Sequence, residues 1–191
     1  MKEFIKNPFI RFILLFTVLT VVWFSLYKYI YILDGSNISQ VDNSGINKSI
    51  TIALANTAGF FTNLIGYTSL TEVTQDLVIV RLTDFQFSHG TWIGEPCNGL
   101  KVMGLFALFV IAFPGKHLHK WWFILAGMVI IHITNALRVS ALTIIEAKWP
   151  QYLDFNHNVT FQVLIYGVIF LMWYLWVQKF SGLNTKKSNV Q

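Results

Sequence analysis

The chain has a single cysteine, Cys97, and only nine acidic residues in 191. One cysteine excludes an internal disulfide and any structural zinc site built on paired cysteines. Charge of both signs is scarce: 12% of residues are charged, against 54% hydrophobic and 16% aromatic, and the mean hydropathy is +0.55. A soluble domain carries about 25% charged residues, so the chain reads as an integral membrane protein. The formal charge of +5 does not point to nucleic acid, because the basic residues stand at segment ends and form no stripe. There is no internal repeat, low-complexity tract or second domain, and residues 1–191 read as one membrane domain.

What is present is a series of apolar runs. Residues 9–33 contain no acidic side chain and are long enough to cross a bilayer core, which takes about 20 residues. The run is too long for a signal peptide and no small-residue cleavage site follows, so it is expected to be an uncleaved anchor with its N-terminus inside. Further spans are expected over 98–114, 121–145 and 159–177, with an outer-face segment over 34–97. Within that segment the loop 34–48 is polar, and 50–70, with Asn56, Thr57, Thr62 and Asn63, is expected as a helix lying in the interface or packed on the bundle. Residues 77–82 and 85–88 have strand character and predict a small extramembrane β-hairpin. The fold class expected is thus an all-α integral membrane protein of about four transmembrane helices, with an interfacial helix and that hairpin.

Lys2, Lys6, Arg11, Lys116, Lys120, Lys179, Lys186 and Lys187 mark the inner ends, against Lys28, Lys48, Arg81, Lys101, Arg138 and Lys148 at or near the outer face, a modest bias, and Trp121-Trp122 and Trp173, Tyr174 and Trp176 flank the inner ends as aromatic belts. On that topology Cys97 lies at the outer end of the second span. Arg138 is 17 positions beyond Trp121, roughly 25 Å up a core about 30 Å thick. His157 precedes the last span. Three reactive groups from three segments therefore arrive at one membrane level.

Each has a bland reading beside a chemical one. Cys97 is either a small buried hydrophobe or, at a helix start shaped by Pro96, Asn98 and Gly99, a thiol whose pKa the helix N-terminus lowers. Arg138 either snorkels to headgroups or pairs with a thiolate, a carboxylate or an oxyanion; Asn135, three residues earlier, shares its helical face. His157 is either an exposed loop histidine or the acid/base partner of Cys97, and Asp154 either orients its ring or is solvated. His89 is a reserve base and His132 is deep in the third span, whereas His117 and His119 lie on the inner side, away from the site. Glu95 adjoins the thiol with either sign of effect on its pKa. The sequons at Asn47 and Asn158 carry no argument.

Pro96-Cys97-Asn98-Gly99-Leu100, then Asn135-Ala136-Leu137-Arg138-Val139, then Asp154-Phe155-Asn156-His157, resemble the exosortase/archaeosortase family of membrane cysteine transpeptidases, and within it the short exosortase branch called XrtF. The resemblance covers roughly Glu95 to Phe180. It implies Cys97 as nucleophile, Arg138 as stabilising cation and His157 as acid/base, with Asn135, Asn98 and Asp154 in support. The implied partner is an exported protein ending in a short motif, a transmembrane helix and a basic tail, cleaved near the motif at the outer face of the cytoplasmic membrane. The acyl group would pass to an acceptor. Membrane lipid is the other expected neighbour; no metal, cofactor or nucleic acid is implied. Asn98 stands where the family commonly has serine and the spans are fewer than in longer exosortases, so neither motif nor acceptor carries over. The competing readings are a non-enzymatic membrane assembly or transport component, held together by Arg138 and Asn135, and a cysteine-dependent acyltransferase drawing on lipid.

Overall fold

The computed structural model describes residues 7–33, 45–74, 77–86, 88–94 and 97–181. The loop expected to begin at Asp34, the residues Glu95 and Pro96, and the terminal lysines Lys2, Lys6, Lys186 and Lys187 lie wholly or largely outside them. In chain order the elements are α1 (Pro8–Leu33), α2 (Gly45–Leu64), β1 (Ser69–Val73), β2 (Val78–Leu82), β3 (Thr91–Trp92), α3 (Leu100–Ala112), α4 (His117–Lys148), α5 (Leu153–Phe155) and α6 (Phe161–Leu175). A 3₁₀ turn, Pro150–Tyr152, precedes α5, and π turns at Asn156–Thr160 and Trp176–Phe180 flank α6, so 150–180 is one nearly continuous helical rod.

Three helical runs are long and apolar enough to cross a membrane: Pro8–Tyr29, His117–Lys148 and Pro150–Phe180. The expected second span, α3, has 13 residues, about 20 Å at 1.5 Å per residue, which is short of a core about 30 Å thick. It is enclosed instead. Phe12 and Phe16 of α1 meet Phe109 edge-on, with centroids 5.3 and 5.7 Å apart, and Trp173 stacks on Phe109 at 4.3 Å from the other side. Phe106 presses so closely on α4 that a Cβ at Gly127 would lie 2.1 Å from its ring. Phe106, Val110, Ile131, Ile169 and Trp176 form the buried centre of this bundle.

At 32 residues α4 is about 48 Å long, more than a bilayer core requires, and its outer part is covered by protein. Leu54, Ala55 and Ala58 of α2 pack with Ala136 and Val139 of α4, and Val78, Val80 and Ile93 close the same cluster. The helix expected over 50–70 is therefore packed on the bundle, but it runs over 45–64. Gly66, at φ 100°, then turns the chain into β1.

The expected hairpin is corrected too. Residues 85, 86 and 88 are not strand, and Phe87 lies outside the described residues; β2 pairs instead with β1 and β3, antiparallel on both sides. The period-2 signal in 78–82 was real, with Val78, Val80 and Leu82 fully buried on one face. The strand character of Phe85-Gln86 was local propensity that no partner strand takes up. Ser88 is drawn elsewhere, its hydroxyl donating to the buried Glu146 carboxylate at 2.6 Å while the His89 N–H donates to the other oxygen at 2.9 Å.

Candidate active site

Cys97 is brought to the mouth of α3 by the strand that ends at Trp92 and held there by backbone. Its N–H donates to the Gly94 carbonyl at 2.9 Å, and its own carbonyl accepts from Asn135 Nδ2 at 2.6 Å. Gly99 follows at φ 84°, a left-handed conformation that suits glycine, and a Cβ there would come within 3.2 Å of that Asn135 amide nitrogen. Asn98 turns away from the sulfur: buried to 1% exposure, it donates to Asn47 Oδ1 at 2.9 Å and accepts from the Leu100 N–H at 3.0 Å. It fastens the start of α3 to α2, and the thiol is left at the positive end of the α3 dipole.

His157 comes from the π turn before α6. Its Nε2 is 3.5 Å from Cys97 Sγ, and its Nδ1 is 3.1 Å from Asn158 Oδ1. Asn158 Nδ2 in turn donates to Asp154 Oδ1 at 2.7 Å. These contacts fix protons as well as positions. A carboxylate only accepts, so the Asn158 NH₂ faces Asp154 and its oxygen faces the ring. An oxygen at Nδ1 places the imidazole proton there, and the Nε2 lone pair then faces the thiol. Asp154 therefore reaches His157 through Asn158 rather than directly. Asn158 was missed by sequence reasoning, although its i, i+4 spacing from Asp154 on one helical face was a legible signal.

Arg138 and Asn135 approach from α4. Cys97, Asn135 and Arg138 line one cavity of about 290 Å³, with Gly99, Lys101 and Val102 of the first turn of α3 on one wall and Gln162 and Tyr166 of α6 on another. Arg138 is 6% exposed, and among the described residues its Nε has no hydrogen-bond partner; neither does the buried Asn135 Oδ1. Both atoms are closed off from the cavity that their residues line, and leaving them unpartnered carries an energetic cost.

The reserve histidines do not join the site. His132 Nε2 is 3.1 Å from Thr57 Oγ1, whose proton goes to the Ala53 carbonyl, so His132 is the donor in a structural α2–α4 contact. The other, His89, lies beside Glu146 through its backbone. Among the described residues no three of His, Cys, Asp and Glu converge as a metal-ligand set.

The family described as transmembrane exosortase (EpsH) has a sequence model that matches residues 9–177. Neither the curated proteins nor the solved structures contain a match to the chain.

Proposed function

The chain belongs to the transmembrane exosortase family, and from that premise we propose that it is a membrane cysteine transpeptidase in which Cys97, His157 and Arg138 act together. The observation that carries this reading is the 3.5 Å approach of His157 Nε2 to Cys97 Sγ beside a cavity that Cys97 and the buried Arg138 both line. His157 takes the thiol proton as Sγ attacks the carbonyl of a peptide bond. The negative charge that develops on the carbonyl oxygen meets Arg138, while Asn135 holds the Cys97 backbone carbonyl through its Nδ2. The imidazolium returns its proton to the leaving amine, the C–N bond breaks, and a thioester remains on Cys97. An amine acceptor or water then resolves the thioester, its proton passing to His157, and the thiol is regenerated.

The substrate class we infer is an exported protein whose C-terminal sorting signal comprises a short motif, a spanning helix and a basic tail. Cleavage at the outer face of the cytoplasmic membrane agrees with the basic residues Arg11, Lys116, Lys120 and Lys179 at the opposite end of the helices. No finer branch of the family is needed for this chemistry.

The test is co-expression with a candidate tailed protein from the genomic neighbourhood, followed by mass measurement of Cys97 after trapping. A peptidyl adduct on Cys97, and loss of processing in Cys97→Ala with membrane abundance unchanged, is the expected result. A hydroxylamine-sensitive fatty acyl group instead would mark a lipid acyltransferase. Processing that survives Cys97→Ala, with Arg138→Ala lowering only abundance, would leave a non-enzymatic assembly component.

A further inference from the structure

At the end of the molecule remote from Cys97, an open cleft of about 730 Å³ lies along α1 and the C-terminal end of α3, with Phe12 and Phe113, their ring centroids 4.8 Å apart, in its lining. One wall is Leu14, Leu15 and Val18; Arg11, His117 and Lys120 stand at the rim. Lys120 Nζ donates to the last-turn carbonyl of Ile111 at 2.7 Å, which holds the ammonium at that level. Among the described residues the carboxylates are Glu72, Asp84, Glu146 and Asp154, none of which lines the cleft. Among the described residues the ion pair present is Arg81 with Glu72, on the sheet. The rim cations therefore lack a counter-ion from the chain's described residues.

We propose that this cleft binds one anionic phospholipid of the leaflet opposite the Cys97 end, its phosphate against Arg11, His117 and Lys120 and one acyl chain along Leu14, Leu15 and Val18. The length fits a lipid. From Arg11 to Val18 is seven residues, about 10 Å of helix, which stays within the half of a core about 30 Å thick that one leaflet fills. A partner's spanning helix would need the whole core. Among the described residues the cleft lining holds no acid, which favours negative charge, and juxtamembrane cations are drawn to anionic lipid surfaces. This site is independent of the chemistry assigned to Cys97.

The experiment is native mass spectrometry of the intact chain released from mixed micelles containing equal phosphatidylglycerol and phosphatidylcholine. Retention of one phosphatidylglycerol several-fold above phosphatidylcholine is expected. The double variant Arg11→Gln/Lys120→Gln should lower that preference by about fivefold per cation removed. Leu15→Trp, which fills the cleft and keeps the cations, should lower retention as well; it decides the matter if the double variant fails to fold. Lys179→Gln, at the same level outside the cleft, should leave retention unchanged. Equal retention of the two lipids, an equal loss in Lys179→Gln, or full competition by chain-free glycerophosphoglycerol would each overturn the proposal.

Discussion

Asp154 cannot donate a hydrogen bond when ionised, and that one restriction propagates through Asn158 to the lone pair that faces Cys97. The relay makes Asn158 a positioning residue with a signature that a packing role lacks. In Asn158→Leu the ring keeps its place against the helix but loses the acceptor at Nδ1, so either tautomer becomes available. Processing is expected to fall by about ten- to a hundredfold, less than the loss of about 10²- to 10⁴-fold expected when the base itself is removed in His157→Ala. Asn158→Asp keeps an acceptor at Nδ1 but sets a second carboxylate against Asp154, so it should recover only part of the activity that Asn158→Leu loses. Parental processing in Asn158→Leu, or no recovery at all in Asn158→Asp, would remove the relay. Of this constellation the sequence shows Cys97, Arg138, Asn135 and His157, because their depths and helical faces follow from simple periodicity. Asn158 is harder to see, since its part depends on a local backbone irregularity.

That irregularity is the π turn at Asn156–Thr160, where the Phe161 N–H reaches back to the Asn156 carbonyl five residues earlier. One extra residue in a turn rotates everything before it by about 100° relative to α6, at 3.6 residues per turn. The turn is thus what aims His157 at the sulfur while Ile165 and Ile169 stay in the core. Deletion of Val159, an exposed residue of that turn, should restore a regular helix and swing His157 away from Cys97. The expected outcome is a chain that still enters the membrane fraction at parent abundance but no longer forms the Cys97 adduct. Retained adduct formation would show that the turn is incidental. The hydropathy pattern of 159–177 marks this element as a helix, yet an i→i+5 bond leaves no trace in hydropathy. The same limit explains the strands: β2 is visible through Val78, Val80 and Leu82, whereas β1 and the two-residue β3 exist because β2 offers them edges. Likewise α3 reads as a span from its apolar content, although it is a 13-residue helix whose Phe106, Val110 and Phe109 are apolar because they pack against α1, α4 and α6.

For the whole molecule, the basic residues at the end remote from Cys97 predict an orientation, although Lys48, Arg81, Lys101 and Lys148 stand toward the Cys97 end. Glu72, Asp84, Glu146 and Asp154 lie toward the Cys97 end, and Arg11, Lys116, Lys120 and Lys179 toward the other. Basic residues in short loops and near span ends are retained on the cytoplasmic side, so the Cys97 cavity should open outward. The single cysteine makes this directly measurable. In a Cys97→Ala background, Trp92→Cys reports the sheet end and Leu118→Cys the basic end, both at exposed positions. An impermeant maleimide applied to intact cells should label Trp92→Cys at once and Leu118→Cys only after the membrane is opened. The reverse pattern would place the cavity in the cytoplasm, where an exported protein's sorting signal is not presented after translocation. The proposed substrate class would then fail even with the Cys97–His157 geometry intact, because the geometry determines the bond that can be attacked while the orientation determines which proteins bring that bond to the site.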